Sequence, residues 1–490
     1  MNVKRLRFLP LLLLAALLLP LGLGGCAHTH EYTEKVILPT CTSIGYTIHS
    51  CKCGEVYYSD YQTETPHEYG DWVAVQEATA IYGGEETRSC LHCGKILTRD
   101  TECTSRLPKI RLTEVIGSEL KTADYQSSQH KFECRAILSE NGSASGKPDY
   151  VISFCDDDRN PYAIDLGWGQ TAVYALKGYA KDPTRQREET ASHFWAVIRE
   201  AEGETAFYLS DGSFPVQLYL DGVYAGLYAL TRMPGYESGE EGTSSSGRIA
   251  FLQTDKSSGC LFKTDAERYE DSGTGFLFAT DTYTDITLTD KDKDEAWASF
   301  TEFHSFVRES TDSDFAHHLD RCADVDELID FFLFSEMLCA ADAGEAGVLW
   351  YTDDGKHWKA DFSMLYCSIG ISPTGSNVSV EEKLPGTDSK GHFIYSGNQF
   401  LWTRLSECFK EEITERYRKL RETISADSVY AYFLQRYETL PPDLLEAEKT
   451  LFPAAVYNRD PAVIRNFLTA RLERMDTRSV PETPNEKPEE

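Results

Sequence analysis

Two groups of residues in this chain have the types and the spacing for chemistry. The first is a set of histidines and cysteines near the N-terminus: His30, Cys41, Cys51 and Cys53, then His67, Cys90 and Cys93. His30-Glu31-Tyr32 recurs as His67-Glu68-Tyr69, and Ser50-Cys51-Lys52-Cys53-Gly54 recurs as Ser89-Cys90-Leu91-His92-Cys93-Gly94. The segment is therefore a tandem repeat with a period of about 40 residues. Thiolates with imidazole are the donors of a structural zinc ion, and a unit this small cannot bury enough apolar surface to fold without a metal or a disulfide. Cys41, Cys51, Cys53 and either His30 or His67 would make a first zinc site. His67, Cys90 and Cys93 would make a second, with Cys103 as a further candidate, because Ala80 stands where the first repeat has Cys41. Disulfides among the same cysteines are the alternative.

The second group is made of carboxylates, Asp342 and Asp361, in the stretch Ala323–Gly370. Val325, Leu328, Ile329, Phe332, Leu333, Met337 and Leu338 recur at helical spacing, which predicts a buried helix with Asp342 at its end. Val348 to Thr352 reads as a strand, Asp353-Asp354-Gly355 as a hairpin turn, and Trp358 onward as the returning strand. Helix end, hairpin and the loop after it would converge on one cleft. Carboxylates gathered in a cleft can hold divalent ions, and Asp361 lies on the returning strand. His193, His304 and His317 fall on predicted helices with no nucleophile motif beside them, which argues against a hydrolase.

The elements that must carry these groups are set by the rest of the 490 residues. A formal charge of −31 with no basic patch excludes nucleic-acid binding and predicts a soluble, self-repelling surface. Lys4, Arg5 and Arg7 precede the apolar run Phe8–Leu23, which ends Gly24-Gly25-Cys26 and resembles a bacterial lipobox. The expectation is a signal peptide over residues 1–25, diacylation of Cys26, and a protein tethered to the outer face of the cytoplasmic membrane. Of fourteen cysteines, thirteen remain besides Cys26, an odd number that leaves at least one thiol free or metal-bound. Those from Cys134 to Cys408 are scattered singly and read as buried, inert thiols.

Residues 26–104 form the two repeats, read as two short hairpins each and similar to the zinc-ribbon-like repeats of Gram-positive surface proteins. From Leu107, KFECRAIL, DYVISFC and NPYAIDL read as strands; Tyr174–Lys177 as a strand before a helix capped at Asp182-Pro183-Thr184; and VQLYLDGVYAGLYALT as a hairpin about Asp221-Gly222. Residues 233–248 read as a polar loop, and strands are expected near Gly259–Thr264 and Phe276–Thr287. Helices follow over Glu295–Glu309, Phe400–Ser425, Ser428–Leu440 and Pro461–Met475, with a polar interruption at Ser372–Gly397 and a disordered tail at 478–490.

Residues 105–477 resemble the CotH (spore-coat protein H) kinase family, whose atypical kinase-like fold phosphorylates secreted proteins on serine or threonine. Gly222, Tyr224, Gly226 and Tyr228 match that family's hairpin, Asp182 and Arg187 its strand-to-helix loop, and Asp342 its helix-end aspartate. Other positions depart from it. Ser363-Met364-Leu365-Tyr366 falls on the Trp-Asp-aromatic-Asp metal motif, Ala340 on an asparagine, Asp156–Asp158 on a basic loop, Asp165 on a lysine, Glu188 on an asparagine and Arg232 on an acidic residue. The resemblance implies an α+β, kinase-like domain with an N-terminal mixed sheet and a C-terminal helical half, preceded by the small β repeats. It also implies a domain that has lost phosphoryl transfer and serves as a binding or scaffolding module for a protein partner at the cell surface. The alternative is an active kinase using ATP and Mg2+ through Asp342 and Asp361; a third reading is an envelope component whose cleft is vestigial.

Overall fold

The computed structural model describes residues 29–115, 119–144, 146–182, 184–202, 213–232, 249–253, 276–278, 289–340, 348–362, 365, 367–371, 375–376, 400–455 and 460–478. Cys26, the expected strand at Gly259–Thr264, the polar loop 233–248 and Asp342 lie outside them. The chain divides into two compact units: residues up to Glu77 with Gly84–Thr101, and Ala78–Gly83 with everything from Glu102 onward.

In the smaller unit each repeat is a three-stranded antiparallel sheet where sequence suggested paired hairpins: β1 (Tyr32–Ile37), β2 (Gly45–Cys51) and β3 (Val56–Gln62), then β4 (Val73–Gln76), β5 (Gly84–Ser89) and β6 (Ile96–Thr101). These sheets bury almost nothing. The buried nonpolar side chains of this unit, among the described residues, are Cys41, Cys51 and Cys90, while Val36, Leu38, Tyr61, Val73, Val75 and Ile96 are exposed. Fully burying one aliphatic side chain contributes about 1.5–3 kcal/mol, so sheets without such residues need another source of cohesion.

The larger unit begins with β7 (Lys109–Glu114), β8 (Lys121–Gln126), β9 (Lys131–Ala144) and β10 (Lys147–Cys155). After a minor hairpin, β11 (Ile164–Asp165) and β12 (Gln170–Thr171), come β13 (Val173–Lys177), β14 (Phe214–Leu220) and β15 (Val223–Arg232). The expected mixed sheet is present, and it closes into a barrel in the order β10-β13-β15-β14-β7-β8-β9. Every pairing is antiparallel except β7 with β14, where Gln217 to Leu220 run alongside Lys109 to Leu112. Alternating inward residues fill the barrel, including Ile110, Leu112, Ile152, Phe154, Tyr174, Leu176, Leu218 and Leu230. The β14–β15 turn has Asp221 at φ 49° and Gly222 at φ 78°, the double left-handed conformation that an Asp-Gly pair supplies.

Between β13 and β14 lies α1 (Arg187–Ala201). A second antiparallel sheet, with strand order β17-β16-β18-β19, contains β16 (Ile249–Gln253), β17 (Phe276–Phe278), β18 (Val348–Thr352) and β19 (Lys359–Phe362). The helical half comprises α2 (Asp290–Glu309), α3 (Asp312–His318), α4 (Val325–Leu338), α5 (Phe400–Cys408), α6 (Lys410–Thr423), α7 (Ala426–Tyr437), α8 (Pro442–Leu451) and α9 (Ala462–Arg478). Its core is aromatic: Trp195, Phe300, Phe303, Phe331, Phe334, Trp350, Trp358, Phe362 and Trp402 are all buried. α4 starts at Asp324, whose carboxylate accepts from the Glu327 amide, and stops at Cys339, which turns left-handed at φ 54° while the Ala340 amide bonds back to the Ser335 carbonyl. The helix therefore ends before Asp342. α1 likewise starts after the expected Asp182 cap, at Gln186.

Candidate functional site

α1 is the element on which the charged groups of the larger unit converge. Each residue of its first turn is buried and engaged. Arg187 donates from Nη1 to Asp182 Oδ1 at 2.6 Å and from Nε to the Ile369 carbonyl at 3.3 Å. Asp182 accepts in addition from the Arg187 amide and from the amide and hydroxyl of Thr184, at 2.7–3.0 Å. Burial works against its charge, but Arg187 and these donors hold its carboxyl below the usual range. Asp182 and Arg187, the matched pair of the sequence comparison, are thus a closed clamp with all donors and acceptors directed inward.

Glu188 accepts from Lys177 at the end of β13 and, through its other oxygen, from the Leu365 amide at 3.4 Å. Lys177 retains 19% side-chain exposure against 4% for Glu188, and Lys177 lines a small recess with Gly178, Tyr179, Gln186, Pro215 and Ala229. Glu189 accepts from Tyr432 Oη at 3.0 Å, Arg436 Nη2 at 2.8 Å and the Ser213 amide. Further along the helix, Trp195 Nε1 donates to Asp361 at 2.7 Å, Arg199 pairs with Glu327, and Glu202 at its C-terminal end takes Arg416 and Lys419. Burial pushes the Glu327 carboxyl up to about 7 despite Arg199. The loop into the helix is held in place by its own bonds: Tyr179 and Arg185 have φ of 44° and 60°, and Arg185 Nη1 donates to the Tyr179 and Asp182 carbonyls.

The sequence-derived carboxylates fare differently. Asp361 lies on β19 with 1% exposure, accepting from Trp195 Nε1 and from the Phe362 amide at 2.6 Å. It faces the helix rather than a cleft. The Asp156–Asp158 run is a solvated turn in which Asp156 accepts from the Asp158 and Asn160 amides. Asp165, aligned with a lysine, accepts from the Gly167 and Gly169 amides of its own hairpin. Lys177, twelve residues later and paired with Glu188, is a strand lysine that sequence reasoning passed over; its signal was a lysine closing a strand with an acidic helix start after it. His193 stacks on Tyr432 at 4.0 Å, and His304 is buried in the helical half. The thiols of Cys134, Cys322 and Cys339 are pushed up to about 12 by burial, although of the three only Cys339 is fully buried and Cys134 and Cys322 keep partial exposure.

In the smaller unit, two sets of donors lie within metal-binding reach. Cys41, His67, Cys90 and Cys93 form one, and His30, Cys51 and Cys53 the other, with all donor atoms of each set within 4.8 Å of one another. Every candidate ligand except Cys103 falls in one of these sets, but the sets do not follow the repeats. Cys41 joins the knuckle of the second repeat, not that of its own, and Cys103 joins neither; its Sγ lies 3.8 Å from the Ser105 carbonyl.

A family model for CotH kinase protein matches residues 165–475. The chain belongs to the CotH kinase protein family. The match takes in β13–β15, α1 and the helical half of this CotH family member, whereas β7–β10, which complete its barrel, precede the matched span. No curated protein matches the chain.

Proposed function

We propose that this CotH family member is an exported protein, lipid-anchored through Cys26, whose kinase-like domain no longer transfers phosphoryl groups and binds a protein partner at the cell surface. The observation that carries the reading is the position of Asp361. Phosphoryl transfer depends on carboxylates that reach divalent ions. Met364 and Tyr366 occupy the motif positions where such carboxylates would stand, and the nearest substitute, Asp361, is sealed against Trp195. An ion could reach it only by breaking two hydrogen bonds in a packed aromatic core. In this reading the repeats are a spacer that carries zinc.

One feature favours the active alternative: a strand lysine paired with a helix carboxylate, as Lys177 is with Glu188, is how kinases present a cation to nucleotide phosphates. Calorimetric titration of ATP with Mg2+ or Mn2+ separates the two readings, using wild type, Asp342→Ala and Lys177→Met. No metal-dependent heat at millimolar nucleotide is expected. Micromolar binding that needs the metal and is lost in Asp342→Ala would overturn the proposal in favour of an active kinase.

A further inference from the structure

We infer that one zinc ion is shared between the two repeats: Cys41, from the first repeat, completes the ligand set His67, Cys90 and Cys93 of the second. The inference rests on the zinc-bearing reading of the repeats and adds which residues close the site and what the ion joins.

Geometry fits a tetrahedral ion. With metal–sulfur bonds of about 2.3 Å and metal–nitrogen bonds of about 2.0–2.1 Å, the edges of a tetrahedron are about 3.8 Å between sulfurs and about 3.5 Å between sulfur and nitrogen. Cys41 Sγ lies 3.8 Å from Cys90 Sγ, and Cys93 Sγ lies 3.4 Å from His67 Nδ1. A disulfide would need about 2.05 Å between sulfurs. The knuckle is built to present its thiols: the Gly94 amide bonds back to the Cys90 carbonyl at 2.9 Å, with Gly94 in the left-handed region at φ 75°. Three sulfurs and one nitrogen make a closed structural set for zinc, without an open position for substrate.

The second repeat cannot complete this site from its own sequence. The loop aligned with Cys41 carries Ala80, and it is committed elsewhere. Ala80 is buried with Tyr219, Tyr224, Leu440 and Leu444; its carbonyl accepts from Gln217 Nε2 at 2.9 Å, and the Ile81 carbonyl accepts from Tyr219 Oη at 2.6 Å. The two loops nonetheless have the same turn. Thr40 N donates to the Ser43 carbonyl and Thr79 N to the Tyr82 carbonyl, both at 2.9 Å, and the Thr40 and Thr79 carbonyls each accept an amide from the strand-exit segment, Thr65 and Thr104. Among the described residues, Cys41, Cys51 and Cys90 are also the buried nonpolar side chains of a unit that leaves Val36, Tyr57, Tyr61, Val73 and Val75 exposed. A shared ion therefore supplies the cohesion that the missing core does not.

Zinc content of the full chain, purified in detergent under reducing conditions and challenged with a chelator, tests this with four proteins. Wild type should keep one chelator-resistant zinc; Cys41→Ser and Cys93→Ser should lose it, and Cys53→Ser should keep it. Cobalt substitution should show thiolate-to-metal absorption that falls in Cys41→Ser. If Cys41→Ser retains the resistant ion, or if Cys53→Ser loses it together with Cys41→Ser, sharing is refuted while zinc in the repeats survives. If wild type holds no zinc and mass spectrometry finds a Cys41–Cys90 disulfide, both readings fail. Unchanged tryptophan fluorescence in the variants would exclude general unfolding, since Trp72 is the single tryptophan outside the larger unit.

Discussion

Glu448→Gln should be among the most damaging single substitutions in the larger unit, since Glu448 faces both Lys147 and Arg185, the latter in the loop that leads into α1. Glu448, on α8, reaches β15 with no side-chain exposure: Oε1 accepts from the Leu227 amide at 2.6 Å, and Oε2 takes Lys147 Nζ at 2.5 Å. Lys147 is equally enclosed, with its ammonium over the Tyr228 and Phe452 rings at 4.8 and 5.3 Å. The neutral amide keeps the Leu227 bond, so the substitution isolates the loss of charge. Orphaning one partner of a buried ion pair costs about 3–5 kcal/mol. Burial already lowers the Lys147 ammonium to about 8 against the pull of Glu448, and without the carboxylate it would be pushed further down. Adding Lys147→Met should restore part of the loss by removing that orphaned ammonium, while Arg185, whose Nε lies 3.8 Å from Glu448 Oε2, still lacks its carboxylate. The assay is urea unfolding followed by tryptophan fluorescence, which reports mainly on this unit. A single-substitution cost under about 1 kcal/mol, or a double variant as unstable as the sum of the singles, would refute the reasoning. The pH dependence has a definite sign. The folded-state value lies below the unfolded one, so the unfolded chain binds the extra proton between about 8 and about 10.5, and stability from this group rises with pH across that window. Wild type should gain on Lys147→Met as pH is raised from 8.

Gly370→Ala should cost about 2–4 kcal/mol, since Gly370 has φ 80° and an added Cβ would sit 2.6 Å from the Phe467 ring; thermal unfolding would check this, and a shift within error would contradict it. Asp182→Asn should cost about 3–5 kcal/mol at neutral pH by leaving Arg187 without its charge partner. The Asp182 carboxyl is held below its unfolded value, so its contribution is present above about pH 4 and disappears as pH falls through the folded value. The gap in melting temperature between wild type and variant should therefore close in acid, and a gap that persists would count against the clamp.

Sequence reasoning worked where local patterns decide the outcome. Asp221-Gly222 between alternating strands and the Asp353-Asp354-Gly355 turn both lie in the hairpins expected of them, and α4 follows its apolar periodicity. It failed where a longer-range contact overrides the pattern. Phe400–Ser425 reads as one helix but breaks at Phe409, whose ring is buried against Phe315. Helix α8, whose apolar face is only Leu444, Leu445 and Ala447, was not anticipated; what fixes it is Glu448, whose partner Lys147 lies 301 residues away. Gly226 was recognised as a motif glycine, but its reason appears only in three dimensions: a Cβ there would lie 2.8 Å from Glu448 Oε1. The repeat was legible from spacing, whereas the assignment of Cys41 was not, because a periodic alignment groups ligands by repeat and the fold pairs them across repeats.

The twin turns at Thr40 and Thr79 bear on how such a chain could lengthen. In each repeat the connecting loop and the ligand knuckle are separate parts, and the residue after the loop threonine is cysteine in the first, where the next module brings a metal set, and alanine in the second, where the loop packs on apolar side chains. A duplicated copy of the first repeat, inserted before the second, would bring both a knuckle for the ion it receives and a cysteine for the one it passes on. The terminal alanine loop would be untouched. Spacer length could thus change by whole units during evolution without any new interface having to be invented.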